Sequence, residues 1–158
     1  VGGVLCFIDA DTRIASDFIE KSSLFTKDSD NAVWCPKFVA DDGRIQYRLL
    51  YQLFNALFFL SSYTQKPAGG GMCLLCDRSV FTMERFPEEE HFEDLSFITA
   101  VGRKYGYSQI PIPVTVSTRR YQKKGFWRVV TRYMQVSFRF ITGKSLTDVP
   151  YDYERSSW

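Results

Sequence analysis

The sequence predicts an α/β domain, a mixed and mostly parallel sheet flanked by helices, with a basic amphipathic helix towards its C-terminal end. Three observations lead there. A continuous apolar run of strand length, Val4-Leu-Cys-Phe-Ile8, reads as a strand covered on both faces. Apolar runs of strand length then alternate with stretches whose apolar residues recur every three or four positions. Gly, Pro and Asp clusters punctuate the changes of period. The chain has 158 residues, enough to bury a core, and its 24% of charged residues suits a globular protein.

Val1–Ile8 is too short for a membrane span and lacks the basic leader of a signal peptide. It reads as a buried central strand, from which a missing upstream part is expected. Asp9-Ala10-Asp11 follows directly. A short helix is expected over Ser16–Ser23, capped by Ser16 or Asp17. Ala32–Val39 reads as a strand that Pro36 assigns to an edge or a bulge, and Asp41-Asp42-Gly43 as a turn. From Ile45 to Ser61, Leu49, Leu50, Leu53, Phe54, Leu57 and Phe58 set a helical period. Burial is the first reading of that helix and an interfacial position the second. Pro67–Gly71 is a loop of little bulk, Met72–Cys76 a short strand, and Arg78–Arg85 a helix ended by Phe86-Pro87. Acidic residues 88–94 lead into a helix over Leu95–Tyr105, closed by Gly106. Gln109–Ser117 alternates as a strand, and a last helix spans Lys123–Thr142.

Charge is uneven. Residues 112–158 carry nine Lys/Arg against three Asp/Glu, while the remainder is net acidic. Such asymmetry suits an anionic lipid, a phosphate ligand or nucleic acid, and a solvated helix face is the plainer reading. No nucleic-acid motif is present, and nucleic acid is not expected as a partner. In the last helix Trp127, Val130, Met134, Phe138 and Ile141 share one face, and Lys124, Arg128, Arg132 and Arg139 another. Packing on the domain is the commoner explanation, and residues 123–142 on an anionic membrane the sharper one. Of Cys6, Cys35, Cys73 and Cys76, only the last pair has metal-like spacing. Buried thiols are expected ahead of zinc or a redox pair, in a reducing compartment.

Several groups can carry chemistry. In an extended segment Asp9 and Asp11 project to one side, a hard oxygen site suited to Mg²⁺ or Mn²⁺. A turn with a helix cap is the plainer reading. Glu93-Asp94 can supply a general base for an attacking hydroxyl, or simply cap a helix. Gly69–Gly71 leaves room for a ligand near the backbone, or makes a flexible turn. Arg119, Arg120 and Tyr121 can hold a diphosphate, or form the polar start of a helix. Glu88–Glu90 reads as a solvated run, and His91 as a spectator beside it.

The order of these motifs is more specific than any one of them. Phe-Ile-Asp-Ala-Asp-Thr is followed by Gly-Gly-Gly-Met-Cys-Leu-Leu-Cys-Asp-Arg-Ser-Val-Phe, then Phe-Glu-Asp-Leu-Ser-Phe, then Ser-Thr-Arg-Arg-Tyr-Gln-Lys-Lys-Gly-Phe. From Val4 to about Met134 this succession resembles the family 2 glycosyltransferases of GT-A fold. The resemblance implies a partial GT-A fold, with residues 1–117 as its metal- and acceptor-binding part and 118–158 as a basic helix and tail. It implies a nucleotide-diphospho-sugar donor, Mn²⁺ or Mg²⁺ on Asp9 and Asp11, and Asp94 as the base with Glu93 beside it. Gly70 and Gly71 would flank donor and acceptor, and Arg119, Arg120 and Tyr121 would contact the diphosphate. The reaction implied is an inverting transfer to the hydroxyl of a sugar, lipid-linked or small-molecule acceptor. The unpaired cysteines and the basic helix, rather than the resemblance, lead to the expectation of a cytoplasmic protein peripheral at the inner face of the membrane. Members of the family begin with a strand and helical region that bind the nucleotide base. Nothing here matches them, so the first half of the nucleotide pocket is expected to be missing. The same acids would serve a GT-A-like nucleotidyltransferase, and the basic helix a non-catalytic module that binds a membrane or a partner.

Overall fold

The computed structural model describes residues 3–87, 92–144 and 146. Along the chain run β1 (Val4–Ile8), β2 (Thr12–Arg13), α1 (Phe18–Thr26), β3 (Val33–Ala40), α2 (Ile45–Ser61) and β4 (Cys73–Asp77). Then follow α3 (Arg78–Met83), α4 (Glu93–Tyr105), β5 (Tyr107–Val116), α5 (Arg119–Lys124) and α6 (Phe126–Thr142). The architecture is α/β, a mixed five-stranded sheet in the order β1-β4-β3-β5-β2 with helices packed on it.

The expected mostly parallel sheet is not what forms. β3 pairs β5 in parallel, whereas β1–β4, β3–β4 and β2–β5 are antiparallel. The reason lies between β3 and β4. The 17 residues of α2 carry the chain back about 26 Å. Gly69 then approaches Cys35 and Tyr107, and Gly70 approaches Phe38, so the connection runs forward again along β3. β4 therefore enters from the end at which β3 leaves. Because β4 lies between them, β1 and β3 still point the same way, as does β5.

Nor is β1 central. It occupies one edge of the sheet and is half-buried, with Ile8 41% exposed. Its apolar character comes from face contacts: the Phe7 ring lies 4.9 Å from Phe81 and 5.2 Å from Phe86. Face burial makes a strand apolar whether or not both its edges are paired. β3, assigned to an edge or a bulge, lies between β4 and β5, and its register shifts at Pro36/Lys37. The bulge accommodates the missing N–H of Pro36. β4 pairs only Val33 and Trp34 of this strand. Beyond them Asn55 of α2 takes over, accepting from Phe38 N at 2.9 Å and donating to Phe38 O at 2.8 Å.

Trp34, Tyr47, Phe18, Phe38 and Ile98 form the centre of the core. Side chains of this size contribute about 1.5–3 kcal/mol each on burial. Tyr107 packs against Gly102 of α4 and Gln109 reaches Asn55 of α2, so both helices cover one face of β5. The expected single helix over 123–142 is two helices. Gly125, at φ 87°, breaks it, a conformation costly for other residues. Cys35, Cys73 and Cys76 are buried free thiols, and Cys6 is a half-buried one. Cys73 and Cys76 stand three apart in a strand and so project to opposite faces, which prevents their convergence on a metal or on each other. Burial pushes Cys35 and Cys76 each up to about 12, so both stay protonated at neutral pH. Glu88–Glu90 and His91 lie outside the described residues.

Candidate functional site

The carboxyl ends of β1, β3 and β5 meet at one end of the sheet, and the candidate residues gather there. Asp9 and Asp11 follow β1, Asp41 follows β3, and Thr118–Arg120 follow β5. Gly70 and Gly71 arrive just before β4, which runs the opposite way. Ligand sites of α/β sheets form at such an end.

The Asp9–Asp11 segment is a turn, the plainer of the two readings, and not the extended stretch from which both acids would project to one side. Thr12 N donates to Asp9 O at 3.0 Å, and Asp9 N donates to Met72 O at 3.0 Å. The second bond ties the turn to the glycine loop. Both aspartates are exposed. Asp9 nevertheless titrates above the ordinary carboxylate range. Partial desolvation is the main cause, and the charges of Asp11, Asp94 and Glu93 add to it against the opposing charge of Arg120. At Asp9 the charges of the neighbouring acids thus outweigh that of Arg120.

Glu93 and Asp94 lie in the first turn of α4, where acidic side chains suit the helix dipole. Asp94 does not cap its own helix. Phe92 is the N-cap residue, and Asp94 Oδ2 accepts instead from Gly71 N at 2.7 Å. A half-buried carboxylate is thereby fixed by a charge-assisted bond to a loop 23 residues away. The glycines make that approach possible. A Cβ on Gly71 would sit 2.5 Å from Asp94 Oδ2, and one on Gly70 would sit 2.5 Å from Met72 Cε and 3.0 Å from Phe38. The space left by the missing side chains is thus filled by the protein itself.

Arg119 and Arg120 begin α5 and are exposed, with an Arg119 Nη2 to Asp11 Oδ2 distance of 3.9 Å. Arg120 donates to Tyr133 Oη at 3.4 Å. Tyr121 points the other way. It is 4% exposed and packs among Tyr47, Tyr51 and Phe126, with its hydroxyl pushed upward by burial. Its structural contribution is to anchor the helix that carries the arginines.

Sequence reading missed the residue that places this helix. Asp41 Oδ1 accepts from both the N and the Oγ1 of Thr118, each at 2.8 Å, and Thr118 is 1% exposed. Asp41-Asp42-Gly43 carries a turn signal, but nothing local points to a partner 77 positions away. Its neighbour Asp42 holds Arg44 through three bonds, accepting from Arg44 N at 2.9 Å and from its guanidinium at 2.9 and 2.7 Å. That contact keeps the Asp42 carboxyl below its ordinary range.

A raised Asp9 has a consequence for stability. The folded protein holds this proton more tightly than the unfolded chain, so ionised Asp9 opposes folding. The penalty is absent below the ordinary carboxylate pKa, builds as pH rises through the raised folded value, and is complete at neutral pH. Because Asp9 is exposed, the effect is screened and small. Asp9→Asn is expected to raise the Tm by about 1–3 °C at neutral pH. The gain should fade as pH falls through the carboxylate range. A Tm that drops at neutral pH would contradict this account.

Among the described residues, no group of three or more His, Cys, Asp or Glu side chains is arranged to hold a metal ion. Asp9 and Asp11 offer two hard oxygen donors, so a divalent cation there would need further oxygens from a ligand. No protein-family model matches the chain, and no curated protein matches it.

Proposed function

We propose that this chain forms the metal- and acceptor-side part of a GT-A-type glycosyltransferase that uses a nucleotide-diphospho-sugar. The observation that carries the proposal is the Asp94 carboxylate, oriented by Gly71 N at the strand-end cluster of Asp9, Asp11 and Arg119. A base, a pair of oxygen donors and two arginines at one end of a sheet suit displacement of a diphosphate by a hydroxyl.

In this reading Gly71 N holds Oδ2 of Asp94, and Oδ1 takes the proton of the acceptor hydroxyl. The acceptor oxygen attacks the anomeric carbon as its bond to the diphosphate breaks, which inverts the centre. Arg119 and Arg120 bind the diphosphate oxygens by charge-assisted hydrogen bonds. Asp9 and Asp11 would hold Mn²⁺ or Mg²⁺, which when bound neutralises the charge of the departing diphosphate. Tyr121 and the Asp41–Thr118 contact hold the arginines in place.

Thermal unfolding with a panel of nucleoside diphosphates, with and without Mn²⁺, tests the reading. A ligand at a hundred times its Kd stabilises by about 2.7 kcal/mol. The expected result is a rise in Tm that requires both metal and nucleotide and disappears in Asp11→Ala. It should persist in Asp94→Asn, which removes the base and keeps the donor site. An undiminished shift in Asp11→Ala, or no metal-dependent shift with any nucleotide even in a longer chain that supplies the expected upstream strand and helices, would overturn the proposal.

A further inference from the structure

We propose that the outer faces of α2 and α6 form a surface that docks on an anionic lipid bilayer. The two helices run side by side in the same direction. Tyr47 lies 5.6 Å from Phe126, Phe54 lies 5.6 Å from Tyr133, and Lys66 Nζ donates to Ile141 O at 3.3 Å just beyond the end of α2.

α2 is apolar on both sides. Tyr47, Leu50, Tyr51, Phe54 and Phe58 face the domain. Ile45, Leu49, Leu53, Leu57 and Leu60, spaced four, four, four and three, form a second row that is 47–64% exposed. A helix apolar all round is normally covered all round. α6 repeats the pattern. Phe126, Val129, Tyr133 and Val136 turn inward, while Trp127, Met134, Phe138 and Ile141 are 61–74% exposed. The row expected to be the helix's packing face is therefore mostly the solvent face. Nine large apolar side chains on two adjacent helices exceed the scattered single exposures of an ordinary surface.

Charge selects the occupant. Residues 45–66 and 123–144, which exclude the arginines placed at the diphosphate, contain no Asp or Glu and eight Lys or Arg. Exposed apolar rows on segments that carry cations and no acid of their own are complementary to anionic headgroups above an acyl layer. Trp127 and Tyr63, 74% and 75% exposed, are of the kind that settles at a membrane interface. No helix among the described residues is long and apolar enough to cross a membrane, so the contact is peripheral. The surface makes no use of Asp9, Asp11 or Asp94.

Flotation of the full 158-residue chain with lipid vesicles tests this. One set is neutral phosphatidylcholine, and the other contains about one-third phosphatidylglycerol, a composition with a strongly negative surface. Binding is expected on the anionic set, weak on the neutral set, and reduced by high salt. Leu53→Gln/Leu57→Gln and Trp127→Ala/Phe138→Gln are expected to weaken partitioning about tenfold or more each. These positions are exposed, and circular dichroism would verify that the variants fold. Equal binding to both sets, no binding, or binding that both double variants retain would overturn the proposal. So would a dimer in light scattering that either double variant dissolves while wild type ignores vesicles, because the patch would then join copies of the chain. The Mn²⁺-dependent nucleotide shift is read separately, so failure of one proposal is distinguishable from failure of the other.

Discussion

Asp41→Ala is expected to destabilise the protein by about 2–4 kcal/mol, with a fall in Tm of about 5–15 °C. Thr118 is 1% exposed, and its amide and hydroxyl both donate to Asp41 Oδ1. Removing the acceptor leaves two donors with little access to water, each costing about 1–3 kcal/mol. The contact also joins the end of β3 to the start of α5. Its loss should release Arg119 from the neighbourhood of Asp11 and weaken the nucleotide-dependent shift. Asp41→Asn keeps an oxygen acceptor without the charge and should lose less than half as much. Thr118→Val removes the hydroxyl and keeps the N–H, so it should fall between. Urea unfolding at constant m would measure all three. A loss below about 0.5 kcal/mol in Asp41→Ala, the range of ordinary surface changes, would show that the contact is not holding the helix.

Gly71→Ala should have a comparable effect for a steric reason. The added methyl would lie 2.5 Å from Asp94 Oδ2, 2.7 Å from its Cβ and 2.9 Å from its Cγ. Asp94 has a short side chain on the first turn of α4. It cannot yield without shifting the helix or giving up the Gly71 bond. Overpacking costs about 1–3 kcal/mol, and the lost charge-assisted bond adds to it. The site should fail with the fold, because the same displacement moves the proposed base. A double-mutant cycle isolates the contact. Asp94→Gly removes every clashing atom at a cost of only about 0.3 kcal/mol in helix propensity, because Asp itself ranks just above Gly. Gly71→Ala/Asp94→Gly should therefore be more stable than the sum of the single changes predicts, by 1 kcal/mol or more on the scale of about 0.5–3 typical of touching residues. Strict additivity would mean that the loop moves freely and that Asp94 is not positioned by it.

Asp94 shows how far the candidate site was legible. Its place at a helix start and its distance in sequence from Asp9 came from motif order, and both acids do stand at one end of the sheet. What the acid touches was not legible. The choice between cap and base turns on Gly71 N, and no local pattern specifies a bond across 23 positions. Gly70 and Gly71 were visible as small residues, yet whether that space holds a ligand or Phe38, Met72 and Asp94 depends on what the fold brings opposite. Asp41 carried a turn signal and no sign of Thr118.

By itself the sequence determined most of the elements, though not β2 or the break between α5 and α6 at Gly125. α2 spans the Ile45–Ser61 read from its period, and α4 ends at Gly106 as its cap residue requires. Such features follow from side-chain spacing and backbone freedom within a few residues. Tertiary structure decided how the elements meet. Hydrophobicity reports that a face is covered, not by which neighbour, so β1 could be apolar and still lie at the edge of the sheet. Strand direction depended on the forward run of the glycine loop after α2, a matter of chain path rather than period. On α6 the apolar arc is wider than one packing contact can cover. Docking of Phe126 and Tyr133 against α2 therefore chose the inward side and left Trp127, Met134, Phe138 and Ile141 facing out.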